Sequence, residues 1–216
     1  MTADQQTGAH STVAPVLSVA ISGLSYGETP VLGAVSFQLV AGETVAITGP
    51  SGIGKSSLLR AVAGLHKDWS GDIRAPGRIA FVFQEPTLLP WRTARANITL
   101  TAGVSDDAAN VALAEVGLAG LGDRYPAQLS LGQQRRLALA RAFAADPALM
   151  LLDEPFVSLD PDLALEMMDL FTALRARRGV ATLLVTHVQG EADRLTDRVI
   201  HLGGSPAVID RQNIGA

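Results

Sequence analysis

The chain contains no cysteine. Disulfides and thiolate metal sites are therefore excluded, and a reducing compartment fits without being required. No run approaches the roughly 18 apolar residues of a membrane span, so work at a membrane would need another chain to supply that part. Nor is there a long basic stretch. The 17 Lys and Arg are outnumbered by 21 Asp and Glu, for a formal charge of −4, which argues against sequence-independent nucleic-acid binding. The first fifteen residues, MTADQQTGAHSTVAP, lack the basic start and apolar core of a secretory signal. Residues 1–15 read as a disordered tail, and the protein as soluble and cytoplasmic. Internal repeats and low-complexity tracts are also missing. What is present is 48% hydrophobic and 18% charged over 216 residues, enough for one substantial globular core.

Short apolar runs, TVAIT (44–48), RIAFVF (78–83), ALMLL (148–152), ATLLVT (181–186) and RVIHL (198–202), read as strands buried on both faces of a mostly parallel sheet. VLSVAI (16–21) and VLGAVSFQLV (31–40) alternate more, and predict an antiparallel edge with a turn at Tyr26-Gly27-Glu28. Residues 55–63 predict a helix stopped by Gly64. A second helix is expected over 161–179, opened by Asp160-Pro161, with Leu163, Met167, Leu170, Phe171 and Leu174 on one stripe. From about 87 to 143 the alternation stops, which predicts a helical subdomain inserted in an α/β core. The core is expected over 16–216, with the chain ending soon after the strand at 198–202 and no room for a regulatory domain.

GPSGIGKS, Gly49 to Ser56, matches G-x-x-x-x-G-K-[ST] between an apolar strand and a helix. In that context glycine backbone N–H groups converge on phosphate oxygens, and the helix N-terminus adds a favourable dipole. Lys55 supplies a mobile cation for the β- and γ-phosphates, and Ser56 a hard oxygen for Mg²⁺. The strand 148–152 then delivers Asp153 and Glu154 at its carboxyl end, where open α/β sheets bind ligands. Neighbouring residues there point to opposite sides, so Asp153 can hold the Mg²⁺ shell while Glu154 polarises water. A glycine-rich turn and a polar strand exit are the plainer alternatives.

In order, GPSGIGKSS (49–57), FVFQE (81–85), LSLGQ (129–133), LMLLDEP (149–155), SLD (158–160) and TH (186–187) resemble the ATP-binding-cassette (ABC) ATPase family. The resemblance covers nearly everything from Val16 onward. It implies a P-loop NTPase cassette that binds ATP with Mg²⁺ through Gly49, Pro50, Ser51, Gly52, Ile53, Gly54, Lys55, Ser56 and Ser57. Tyr26 resembles the residue that stacks on adenine, though a packed tyrosine explains it too. Gln84 resembles the glutamine touching Mg²⁺ and the attacking water, beside Ser56 and Asp153 as metal contacts. Glu154 resembles the catalytic base, and His187 the switch histidine at the γ-phosphate.

Ser130-x-x-Gln133 is first of all a capping box. The resemblance adds a role across an interface. Two copies would pack head to tail, with Ser130, Gly132, Gln133 and Asp160 of one meeting the ATP of the other, although N-capping alone explains Asp160. Leu131 stands where the family pattern has glycine, which implies an ordinary backbone there and a side chain turned from the nucleotide.

A single cassette without spans looks like the ATPase subunit of a transporter, peripheral to the inner face of the membrane. Permease subunits would rest against the Gln84 loop and Leu88, Leu89 and Trp91, unless those groups are buried within the chain. A substrate-binding protein would complete the transporter. FVFQEPTLLPWRT is similar to importers of the nitrate, sulfonate and taurine group. The alternatives are a non-transport ABC ATPase and a weakly hydrolysing interaction module.

Overall fold

The computed structural model describes residues 14–214; of the expected disordered tail, residues 1–13 lie outside them. Among these residues ten strands, numbered in chain order, form one sheet in the order β3-β1-β2-β10-β9-β4-β8-β7-β6, with β5 also paired to β1. Five of them run parallel: β9 (Arg198–Gly204), β4 (Thr44–Thr48), β8 (Ala181–Val185) and β7 (Leu149–Asp153) in the interior, and β6 (Ile79–Val82) at the edge. Every residue of β7 and β8 is buried, as continuous apolar runs require.

The antiparallel edge is built from β1 (Leu17–Tyr26), β2 (Thr29–Leu32), β3 (Val35–Leu39) and β5 (Trp69–Arg74). Tyr26 pairs with Thr29 across the expected turn. The run 31–40 is two strands rather than one, broken between Leu32 and Val35. β5 carries no readable signal. WSGDIR is polar and mostly exposed, and Gly71 sits so close to β1 that a Cβ there would come within 2.1 Å of the Ala20 carbonyl.

The strand at 198–202 is not the last. β10 (Ala207–Ile214) turns back along β9 and also reaches β2 at one position. Its side chains at 210–213 are exposed and polar, so cross-strand pairing makes this strand, and apolar patterning does not reveal it.

Six helices lie among the described residues: α1 (Lys55–Val62), α2 (Ala94–Ala102), α3 (Asp106–Glu115), α4 (Leu131–Ala144), α5 (Pro161–Arg178) and α6 (Gln189–Leu195). α1 ends with Gly64 left-handed at φ 71°, its N–H bonded to the Ala61 carbonyl. α2, α3 and α4 pack on one another between β6 and β7 in the chain, with no strand among them. The loop 117–128 holds one short 3₁₀ turn at Pro126–Gln128. On α5, Met167, Phe171 and Leu174 are buried while Leu163 and Leu170 are partly covered. Its Asp160 cap accepts from Leu163 N–H at 3.0 Å.

Two apolar cores flank the sheet. One joins α1 to the edge strands, and the other joins α2 to α5 with the far face of β6 to β8. Both keep the carboxyl ends of β4, β7 and β8 in fixed relation, and the site is built there.

Candidate functional site

β4 ends at Thr48, and the chain loops through Gly49 to Gly54 into α1. Gly54 carries φ 109°, and a Cβ on it would come within 2.7 Å of Val31 and Leu32 side chains, so glycine is required where the loop enters the helix. Lys55, 5% exposed, folds back and donates to the carbonyls of Gly49 and Pro50 at 3.0 Å each. Those bonds hold the ammonium over the loop, where the β- and γ-phosphates of a nucleotide would lie.

The Ser56 hydroxyl donates to Asp153 Oδ1 at 2.7 Å, across 97 residues of sequence. Asp153 is 8% exposed, and burial pushes its pKa up against the opposing Ser56 bond. A buried carboxylate beside a hydroxyl is a hard-oxygen pair. Mg²⁺ fits it, because Mg²⁺ takes one or two carboxylates and fills its remaining positions with water and phosphate. Among the described residues no group of three or more His, Asp or Glu gathers as a metal cage. A cleft of about 330 Å³ is lined by Ser51, Gly52, Gly54, Lys55, Ser56, Ser57, Gln84, Asp153 and Glu154. Residues of the glycine-rich loop, both strand-end acids and Gln84 therefore share one cavity.

Glu154 sits in the left-handed region at φ 49°, unusual for a residue with a Cβ. Its N–H is tied to the Val185 carbonyl at 2.9 Å. The side chain meets His187 Nδ1 at 3.2 Å through Oε1. His187 is itself framed. Thr186 Oγ1 donates to Glu191 at 2.6 Å and accepts from Val188 N–H at 3.0 Å. Glu191 is 5% exposed, and its pKa is raised by burial. Tyr26 is 46% exposed and its ring lies 4.4 Å from that of His66, with Ser57 donating to its hydroxyl at 3.4 Å. It is thus an open ring bordering the phosphate loop, not a packed core tyrosine.

Ser130, Gly132, Gln133 and Asp160 line a separate cleft of about 490 Å³. Ser130 caps α4: its Oγ accepts from Gln133 N–H at 3.2 Å, and Gln133 Oε1 accepts from Ser130 N–H at 3.0 Å. Leu131 is the first residue of that helix and is not among the positive-φ positions, so its backbone is ordinary. Its side chain, 52% exposed, borders the same cleft and is not tucked away from it. A Cβ on Gly132 would stand 3.3 Å from the Leu163 methyls, so glycine there also lets α4 approach α5.

The three apolar groups after Gln84 divide. Leu88 packs partly on the core, Leu89 is half-buried, and Trp91 is 67% exposed. No sequence signal singled out Arg135, Asn97 or Glu191, all buried polar residues within or beside the loops of the site. Only tertiary contacts mark them.

Comparison with known proteins agrees with this geometry. A family model described as ABC transporter matches residues 32–157. An aliphatic sulfonates import ATP-binding protein SsuB from Pseudomonas syringae pv. syringae is 42% identical over 91% of this chain and 84% of its own length. A second from Paraburkholderia xenovorans is 48% identical over 85% and 76%. Among solved structures, the dimeric post-hydrolysis state of the ATP-binding cassette MJ0796, bound to ADP and Pi, superposes with a TM-score of 0.79 at 28% identity. That match covers 92% of this chain and 98% of the other. On the order of its motifs, the site they build and these matches, the chain belongs to the ABC transporter family.

Proposed function

We propose that this chain is the ATP-hydrolysing subunit of an importer, working as a head-to-tail pair at the inner face of a membrane. One observation carries the catalytic part: Lys55, the Ser56–Asp153 pair and the Glu154–His187 pair all end on the same side of the parallel strands. The relatives' names support import, and they favour an organic sulfonate as cargo. No helix among the described residues is long and apolar enough to cross a membrane, so permease subunits would supply the path and a binding protein the capture of cargo. The exposed Trp91, with the partly buried Leu88 and Leu89 just before it in the chain, is the surface offered to the permease.

Each group in the site has a definite task in this reading. Lys55 exchanges its two carbonyl partners for phosphate oxygens, and those carbonyls keep its buried charge hydrogen-bonded beforehand. Ser56, Asp153 and Gln84 would hold Mg²⁺, which supplies positive charge against the phosphates. Glu154 orients a water and accepts its proton as that water attacks the γ-phosphorus, while the bond from that phosphorus to the β,γ-bridging oxygen breaks and ADP leaves. His187, bonded to Glu154 on one side, fixes its angle and reaches the γ-phosphate with the rest of the ring. Ser130 and the first N–H groups of α4 meet the same phosphate from the second copy.

The test is phosphate release by the purified chain against Glu154→Gln. The variant should bind ATP normally and turn over about 100-fold or more slowly, the range expected for loss of a general base. Wild-type-like turnover in Glu154→Gln would remove Glu154 from that role. Absence of ATP-dependent turnover by the wild-type chain, alone or with its permease, would remove the enzymatic reading.

A further inference from the structure

The segment from Gln84 to Thr93 is fastened by side chains that neither the phosphate site nor the catalytic pair uses. Arg135 on α4 is 8% exposed, a rare position for a guanidinium. Its Nη1 donates to the carbonyls of Gln84 and Pro155, both at 2.8 Å, and its Nη2 to that of Val157 at 3.3 Å. These carbonyls belong to the glutamine that lines the phosphate cleft, to the residue after Glu154, and to the turn leading into Ser158-Leu159-Asp160. A single buried cation thus joins three loops around the site. Its Nε has no partner among the described residues, so the guanidinium is held by the carbonyls, with the charge of Glu85 close enough to favour its charged form.

Six residues further along α4, Arg141 repeats the device. Nη1 donates to the Thr87 carbonyl at 2.9 Å, and Nη2 to the Pro86 carbonyl at 3.1 Å and to Thr87 Oγ1 at 3.2 Å. Thr87 lies at φ 43°, a conformation a β-branched residue holds only when its surroundings impose it. Burial lowers the pKa of both arginines. Each is therefore desolvated in return for backbone contacts, a poor bargain for stability alone.

From the other side, Asn97 of α2 is fully buried. It accepts from Leu89 N–H at 2.7 Å and donates to the carbonyls of Leu89, Arg92 and Thr93. The strap carrying Trp91 is consequently stiff along its length. α4 spans the whole arrangement. Its capped start at Ser130 lines the cleft with Asp160, and Arg141 lies eleven residues on, about 16 Å along the axis at 1.5 Å per residue.

We propose that Arg135 and Arg141 are positioning residues that fasten the Gln84 loop to α4, so that closure of a second copy's ATP onto Ser130 is carried to the Trp91 surface. The proposal rests on the head-to-tail reading given above. Neither arginine lines the phosphate cleft or the cleft at Ser130. They set where Gln84 and Trp91 stand when α4 is pulled.

The chain has no cysteine, so Trp91→Cys accepts a single nitroxide label on the full-length protein. In the Glu154→Gln background, mass by light scattering and the label's spectrum are recorded with and without Mg²⁺-ATP. They are then repeated with Arg141→Met and with Arg135→Lys. The parent should double in mass and change its label spectrum on adding ATP. Each arginine variant should still double in mass but lose the ATP-dependent spectral change. If both variants double in mass and keep the parent's spectral change, the coupling is overturned. It is also overturned if the parent doubles in mass while its label does not respond. A parent that binds ATP and stays monomeric would sink the head-to-tail reading, and the coupling with it. Arg135→Lys retains the buried charge; should it fail to fold, the partly exposed Arg141→Met decides the matter alone.

Discussion

At Asp153 folding and chemistry pull in opposite directions. The carboxylate is buried for the sake of the phosphate site, and burial raises its pKa. Between the ordinary carboxylate range and that raised value the native chain binds the proton more tightly than the unfolded one. Stability is therefore lost as pH rises through this window, and the full penalty remains above it. Asp153→Asn removes the penalty while leaving an oxygen to accept from Ser56. Nucleotide-free Asp153→Asn should melt at or above the wild-type temperature at neutral pH, with the difference vanishing below the carboxylate range, and it should not turn over. Melting curves across pH check this. A variant that melts lower at neutral pH would mean that the folded state favours the charge. Functional sites commonly trade stability for activity in this way.

α4 shows how one element serves folding and recognition together. Its capping box was legible in Ser130 and Gln133, because a cap depends on residues three apart. The same hydroxyl, in the proposed pair, faces a triphosphate. Ser130→Asp separates the two tasks. Aspartate caps a helix as well as serine does, so the melting temperature should be unchanged. A carboxylate facing the γ-phosphate should abolish ATP-driven doubling of mass in the Glu154→Gln background. Retained doubling, measured by light scattering, would show that Ser130 is only a cap. β5 and β10 lie at the other extreme of legibility. Both are largely exposed strands made by pairing with β1 and β9, and the few apolar residues that touch the core, Trp69 and Ile73 in one and Ala207 and Ile209 in the other, are too sparse to separate them from loops.

For the molecule as a whole, the nucleotide site and the cleft at Ser130 line separate cavities. In the proposed reading, one copy therefore holds the parts of a complete site apart from one another. Association is the proposed remedy, and Leu131 bears on its strength. The side chain is half exposed at the mouth of the cleft, so closure must bury and order it beside a phosphate. Leu131→Gly should lower the ATP concentration at which Glu154→Gln doubles in mass. Its effect on folding should be small, since glycine costs at most about 1 kcal/mol in a helix and less at an end. A higher ATP requirement would mean that Leu131 makes a favourable contact with the second copy.

Local rules were sufficient for much of this protein. The loop Gly49 to Ser56, the caps at Ser130 and Asp160, and the buried runs of β4, β7 and β8 each depend on neighbours within a turn or a strand. Sequence therefore determined them. The pairs that make the site depend on residues far apart: Ser56 with Asp153, Glu154 with His187, and Arg135 with Gln84 and Val157. Their order along the chain could suggest company, but not distance. Only the packing of the parallel strands and of α4 against them brings these groups within hydrogen-bonding reach. Arg135 was invisible beforehand for the same reason, since its partners are backbone carbonyls, which every residue carries and which only the folded chain can aim.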